Sequence, residues 1–240
     1  MISKNISNAI EIISSFIEPR FPVDIESVCE ELGIKIIDEY PLDKDGYLIC
    51  QKGKKIILVN SQVNNRHRKK FIIAHELGHF LLHRDQLYCC DHISDVTQQN
   101  INSHVQESEA NVFASELLIP QMELKKYIPI APVKFDNIFD IATTFDVSVT
   151  HAAMQAVLAS NDESEVLICY YKHSRKWYLS SHKYTYPRMI PEECPVNLPP
   201  TTFATNVTGE WTELYSGMVH QEIFCPYGDL YLVLLSGNRR

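Results

Sequence analysis

Two histidines spaced four residues apart carry the main chemical signal of the sequence. His75 and His79 belong to the largely apolar stretch 71–83, which predicts a buried helix. Residues four apart on a helix lie on one face, about one turn from each other, so both imidazoles can bind one zinc ion. Glu76 is turned about 100° away along the helix, which suits it to hold a metal-bound water. This His-Glu-x-x-His spacing predicts the active site of a zinc metallopeptidase.

A catalytic zinc usually has three protein ligands and an open fourth position, so a third ligand is needed. His83 lies eight residues beyond His75, roughly 12 Å along the helix axis, and is too far away to share an ion with it. The metzincin pattern would place a glycine and a histidine where this chain has Leu82 and Asp85. Asp85 can bind zinc, but without the glycine the chain has no easy way to turn back toward the metal.

A second predicted helix, over residues 107–120, offers a better third ligand. Apolar residues recur along this segment and a proline ends it. Glu107 and Asn111 lie one turn apart, so a carboxylate and an amide project from the same face. Glu107 can then bind zinc, while the Asn111 carbonyl accepts a hydrogen bond from the outer ring nitrogen of a ligating histidine. Glu109 and Glu116 lie off this face and are predicted to be solvated.

The two segments together resemble the ImmA/IrrE family of metallopeptidases. The family pattern pairs an Ala-His-Glu-Leu-Gly-His helix ending in Leu-His with a downstream Glu-x-x-Ala-Asn-x-Phe-Ala-x-x-Leu-Leu-x-Pro helix. Residues 74–83 and 107–120 match both halves, and the resemblance covers residues 20–160 well and the remainder weakly. It implies the zinc ligands and the catalytic carboxylate that the spacing favours: His75, His79, Glu107 and Glu76.

The resemblance also implies a substrate. It is a transcriptional repressor of the XRE type, cut once to release gene expression during stress or the induction of mobile elements. One alternative stays open, namely a regulatory binding protein with a structural or idle zinc site that sequesters its partner, as an antirepressor or antitoxin does. Glu76 favours the enzyme, because a structural zinc site has no use for a free carboxylate beside a ligand.

Composition limits the class of protein further. The 240 residues suffice for one large or two modest domains with a sizeable core. The sequence has no apolar run of about 18 residues and no signal-peptide pattern, and its seven cysteines, an odd number, are interpreted as reduced thiols. These features predict a cytoplasmic protein without membrane contact. The net charge of −8 argues against direct binding of nucleic acid, which requires a basic surface.

The predicted fold class is α+β, beginning with a zincin-like zinc metallopeptidase domain over residues 1–129. A small sheet precedes the motif helix, which begins near residue 64 or 65. Residues 84–106 are polar and poorly periodic and predict a connection between the two metal-binding helices. The predicted helices before the motif helix are residues 3–17 and 24–32, and the predicted strands are residues 34–37, 46–50 and 55–59.

The remaining chain is predicted to form two further parts. Residues 130–161 resemble a helix-turn-helix, but residues 135–160 contain three Asp and no Lys or Arg, so they lack the phosphate contacts of a DNA reader. Residues 162–240 predict a β-rich C-terminal domain. The family suggests that it is GAF-like or otherwise regulatory, and a structural cap on the peptidase is an equal alternative. Its strands are predicted at residues 166–171, 176–180, 218–225 and 230–235, with little periodicity at residues 183–215.

Overall fold

Helices and strands both contribute to each half of the molecule, which confirms the predicted α+β class. Contacts between Cα atoms divide the chain into two compact units, residues 1–120 and 121–240. The domain boundaries at residues 129 and 161 stay predictions. The computed structural model describes residues 3–18, 20–51, 53–83, 96–129, 132–181, 189–196, 203–208 and 210–239.

The first unit begins with two short helices whose starts are fixed by side-chain caps. Helix α1 (Lys4–Ser14) begins after Ser3, and helix α2 (Ile25–Glu31) begins after Asp24, whose carboxylate accepts the Ser27 N–H at 3.1 Å. Gly33 has φ +65°, so it can turn the chain out of α2 where most side chains would be strained. Helix α1 buries Ile6, Ala9 and Ile13.

A three-stranded sheet follows and lies against the motif helix. Its strands are β1 (Lys35–Tyr40), β2 (Gly46–Gln51) and β3 (Lys54–Asn60), in the order β1-β3-β2. Strand β3 pairs in parallel with β1 and antiparallel with β2. Because β3 is central, its residues 57–60 are buried, whereas β2 lies at an edge of the sheet.

The two helices of the predicted metal site complete this unit. Helix α3 (Arg66–Leu82) begins after Asn65, whose side chain accepts the Arg68 N–H at 3.0 Å, so the predicted start is confirmed. Helix α4 (Val96–Leu118) packs against α3. The prediction of a connection was wrong for residues 96–106, which are helical. Residues 104–109 are exposed or half-buried, so this part of the helix needs no apolar periodicity. Residues 84–95 of the predicted connection lie outside the described residues.

The second unit joins three helices to a larger sheet. The helices are α5 (Gln121–Leu124), α6 (Phe135–Phe145) and α7 (Val149–Ala159), and the turn between α6 and α7 has Asp146 in the left-handed region. The five strands are antiparallel, in the order β5-β4-β8-β7-β6. They are β4 (Val166–Tyr171), β5 (Ser174–Ser180), β6 (Phe203–Thr208), β7 (Tyr215–Tyr227) and β8 (Leu230–Arg239).

Strand β6 and two core residues were missed by the sequence analysis. The region 183–215 predicted little regular structure, yet β6 pairs with β7, and Trp211 and Leu214 are buried in the core on one face of the sheet. Trp211 also donates its indole N–H to Gln221 at 3.0 Å. Long-range contacts order this segment, so its own sequence carries little periodic signal.

Two buried carboxylates hold the N-terminal end of α6 on the sheet. The N–H of Val133 donates to Glu165, which precedes β4, and the N–H of Phe135 donates to Glu222 of β7 at 2.6 Å. The first N–H groups of a helix have no partners within the helix, so Glu222 completes the hydrogen bonding of Phe135. Glu165 does the same for Val133, two residues before the helix begins. On the same side, the Phe135 ring lies 5.5 Å from that of Phe224.

Two further expectations concern the whole chain. Among the helices that the structure describes, none is long and apolar enough to cross a membrane. The cysteines within the described ranges are free thiols, as predicted.

Candidate metal centre

Helices α3 and α4 bring the candidate site together because they approach each other closely at Gly78. A Cβ atom at this position would lie 2.9 Å from Cδ1 of Phe113 and 3.2 Å from the Cα of Ala110. Both of these residues are fully buried, so neither can move aside easily. The glycine of the motif therefore allows α4 to pack closely against α3. At this close contact Glu107 and Asn111 face the two histidines.

Donor atoms of three side chains, His75, His79 and Glu107, meet at this crossing and form a small triangle of ligand groups. The Nε2 atoms of His75 and His79 are 3.1 Å apart. Oε2 of Glu107 lies 3.2 Å from Nε2 of His75, and Oε1 of Glu107 lies 3.5 Å from Nε2 of His79. Tetrahedral zinc with bonds of about 2.0–2.1 Å places its ligand atoms about 3.3 Å apart. The observed triangle fits such an ion. The Glu107 side chain is 58% exposed, so the centre opens toward solvent on that side.

The outer ring nitrogen of His75 is held by Asn111. Nδ1 of His75 lies 3.0 Å from Oδ1 of Asn111. An amide oxygen only accepts, so Nδ1 carries the proton and Nε2 presents its lone pair to the triangle. This is the ring orientation that a metal ligand requires.

The second histidine has a different outer partner. Nδ1 of His79 lies 3.1 Å from Nδ1 of His83, and Nε2 of His83 lies 3.0 Å from Oε2 of Glu109. His83 is thus outside the triangle, in line with its exclusion as a ligand. The Glu109 side chain is 38% exposed, so the expectation that it is solvated holds in part, but one of its oxygens contacts His83. The crossing of α3 and α4 brings its carboxylate to a histidine at the end of α3, which spacing within α4 alone cannot reveal.

Burial favours the neutral form of His79. Loss of solvation, followed by the nearby His75, holds the pKa of His79 well below its usual range. A neutral imidazole is the form that donates a lone pair to a metal. The electrostatics of the site therefore agree with the ring orientations.

Glu76 lies in a buried position beside β2. Its side chain is 9% exposed, and burial, followed by the negative charge of Glu107, raises the pKa of Glu76 to about 7. Gly46 lies directly against it, because a Cβ there would be 3.1 Å from Oε1 of Glu76 and 2.5 Å from Cγ2 of Ile72. A carboxyl group with a pKa near neutrality can both take up and release a proton at physiological pH.

A cleft of about 340 Å³ contains the triangle and Glu76, and the sequence analysis missed part of its wall. Lys44, Gly46 and Tyr47, at the start of β2, line this cleft. The Tyr47 hydroxyl donates to Asp43 at 2.9 Å. No local pattern distinguishes these residues from those of any other edge strand, so only the placement of β2 against α3 identifies them.

Residues 29–156 match the family model Peptidase_M78, described as the IrrE N-terminal-like domain. Over 118 residues the chain is 28% identical to metallopeptidase ImmA of Bacillus subtilis (strain 168). The matched region covers 49% of this chain and 66% of ImmA, just under two thirds of the length of ImmA. A solved structure titled Mycobacterium tuberculosis transcriptional regulator is similar in fold, with a TM-score of 0.62, 12% identity, and coverage of 98% of this chain and 88% of that one.

Proposed function

The chain belongs to the family of the IrrE N-terminal-like domain, and from this premise we propose that it is a zinc-dependent endopeptidase. Its substrate is a partner transcriptional repressor of the XRE type, cut at one site. Membership of this metallopeptidase family confirms the resemblance found in the sequence and implies a metal ion. The catalytic part is the zincin-like domain over residues 1–129, and residues 162–240 control when or what it cuts.

The observation that carries this proposal is the triangle of donor atoms with a buried carboxylate beside it. His75, His79 and Glu107 would hold the metal, and Asn111 would orient the first of them. Bound there, zinc would supply Lewis-acid chemistry for the scissile carbonyl and the attacking water. Glu76 takes the proton from the water and delivers it to the departing amine.

The edge of β2 gives the substrate a place to bind. Among the strands that the structure describes, β2 pairs only with β3, and its first residues line the cleft. An extended segment of the repressor can add to this edge as a further strand, with its scissile bond beside the metal. The substrate is therefore recognised in an extended stretch of its chain, and no contact with nucleic acid is required.

Coexpression with a candidate XRE-type repressor tests the reaction. We expect one discrete cleavage product with the wild type and a loss of at least about 100-fold in rate with Glu76→Gln, which keeps the shape of the side chain but removes the proton acceptor. Glu11→Gln, an exposed change on α1, serves as the control. If the Glu76→Gln protein relieved repression as well as the wild type without cutting, the protein would act by sequestration.

Metal analysis tests the ligands independently of any substrate. The purified wild type should contain one zinc per chain, and His79→Ala and Glu107→Ala should lose it. Elemental analysis of all three proteins identifies the metal as well as its amount. Full zinc retention by Glu107→Ala would exclude Glu107 as the third ligand.

A further inference from the structure

We infer that His83 and Glu109 are positioning residues of the metal centre, which fix the ring orientation and tautomer of His79. This inference rests on the proposed function only for the metal site itself. It adds a hydrogen-bonded chain of two residues outside the triangle, Glu109 and His83, which contacts the proposed ligand His79. The chain runs from the carboxylate of Glu109 through the imidazole of His83 to the outer nitrogen of His79.

In this hydrogen-bonded chain, both ring nitrogens of His83 have a partner. Nε2 of His83 is 3.0 Å from Oε2 of Glu109, and Nδ1 of His83 is 3.1 Å from Nδ1 of His79. His83 is only 6% exposed, so both of its nitrogens need protein partners, and they have them. Its backbone is fixed as well, because its N–H donates to the carbonyl of His79 at 3.0 Å.

The direction of each hydrogen bond follows from the carboxylate. A carboxylate only accepts, so Nε2 of His83 carries the proton that faces Glu109. When the His83 ring carries this one proton, its Nδ1 holds a lone pair and accepts the Nδ1–H of His79, 3.1 Å away. This leaves Nε2 of His79 with its lone pair toward the triangle, where a metal ligand needs it.

Removal of Glu109 reverses this preference. Without an acceptor at its Nε2, His83 is free to carry its proton on Nδ1 and donate it to His79. The proton of His79 then moves to Nε2 and faces the position of the metal. A residue that does not touch the metal therefore favours the tautomer of His79 that can bind it.

The two ligating histidines consequently differ in their outer partners. A neutral amide, Asn111, orients His75, while a carboxylate acting through His83 orients His79. A carboxylate behind an imidazole also makes the ring a stronger donor. The metal centre thus depends on Glu109 for the strength of one ligand as well as for its orientation.

Zinc affinity of the full-length chain, measured by competition with a chromophoric chelator, tests the inference. We expect Glu109→Ala and His83→Phe each to weaken zinc binding by about 10–100-fold. Glu109→Gln should lose less, because its amide oxygen still accepts from His83 while its charge is gone. The double variant Glu109→Ala/His83→Phe should be no weaker than the worse single variant, since both changes break the same chain.

Glu116→Ala is the matched control, because it removes one carboxylate from the same helix outside the chain. It should bind zinc within about twofold of the wild type. The unfolding midpoint of each metal-free protein separates positioning from general stability, and ¹⁵N spectra of the imidazoles report which nitrogen of His79 carries the proton. The inference requires weaker zinc binding, an unchanged metal-free midpoint and a shift of the His79 proton toward Nε2 in Glu109→Ala.

Two results would overturn the inference while leaving the proposed function intact. One is unchanged zinc affinity in Glu109→Ala and His83→Phe. The other is weaker binding that only follows a lower midpoint of the metal-free protein, with the His79 proton still on Nδ1. A wild-type protein that binds no zinc would instead overturn the proposed function, and this inference with it.

Discussion

At the scale of single residues, Gly46 sets how closely β2 can approach the candidate base. Glu76 and Ile72 are both buried, and a methyl group at position 46 would meet both. Close packing leaves little room for either side chain to move aside. The position of the Glu76 carboxylate in the cleft therefore depends on the absence of a side chain on the neighbouring strand.

We predict that Gly46→Ala destabilises the protein by about 1–3 kcal/mol, because it overpacks the contact with Ile72 and Glu76. Cleavage should fall by about 100-fold, since a displacement of roughly 1 Å at a catalytic group has that effect. Zinc content should not change. Urea unfolding, cleavage rate and metal analysis measure the three effects.

Gly53→Ala provides the comparison for this prediction. Gly53 has φ +76° and open space where a Cβ would lie, so the change costs about 1–2 kcal/mol of backbone strain without touching the cleft. Cleavage by Gly53→Ala should match that of the wild type. Equal cleavage rates in both glycine variants would show that Gly46 has no part in placing Glu76.

At the scale of elements, the close contact of α3 with α4 decides whether a third ligand reaches the histidines. Gly78→Ala introduces a Cβ 2.9 Å from the Phe113 ring and 3.2 Å from the Ala110 backbone. We predict a loss of about 1–3 kcal/mol in the free energy of unfolding and weaker zinc binding, because the helices must move apart. Calorimetry of the metal-free protein and chelator competition measure the two. Wild-type zinc affinity in this variant would mean that Glu107 tolerates the shift.

The junction of α6 with its sheet depends on a buried acid and gives a prediction about pH. Burial, opposed by the Val133 N–H, raises the pKa of Glu165 from 4.5 to about 7. The pKa of Glu165 is therefore higher in the folded protein than in the unfolded protein. The stability linked to this group is therefore complete below pH 4.5 and is lost as the pH rises through 7.

Glu165→Gln should therefore remove part of the pH dependence of stability. We expect the difference in unfolding free energy between pH 4.5 and pH 8 to change by about 2–3 kcal/mol relative to the wild type, in favour of the variant at the higher pH. Urea titrations at the two pH values measure it. Glu163→Gln, an exposed neighbour, controls for the loss of one charge. An unaltered pH dependence in Glu165→Gln would contradict the prediction.

At the scale of the whole molecule, the metal centre lies entirely within the first unit. His75, Glu76, His79, Glu107 and Asn111 all precede Pro120, where the division between the units falls. We predict that a chain ending at residue 129 binds one zinc with wild-type affinity, since it keeps every residue that contacts the centre. Metal analysis and circular dichroism of the truncated protein measure this. Insoluble or metal-free protein would show that the second unit completes the peptidase fold.

The sequence by itself determined the elements whose signals are local. The start of α3 followed from the capping side chain of Asn65, and the class of the fold followed from the periodicity of its strands. The selection of His75, His79 and Glu107 from spacing named the three residues whose ligand atoms the structure brings within 4.8 Å of one another. Spacing along a helix places His75 with His79, and Glu107 with Asn111, because helical geometry is the same in every protein. That the two helices meet at these residues depends on their packing.

Only the tertiary structure decided what depends on the crossing of elements. The pairing of His83 with Glu109 joins residues 26 positions apart on two helices, and the contact of Gly46 with Glu76 joins a strand to a helix. Strand β6 and the polar first turns of α4 were also missed, since neither carries an apolar period of its own. Crossing angles and strand pairing arise from packing of the whole core, and local patterns do not encode them.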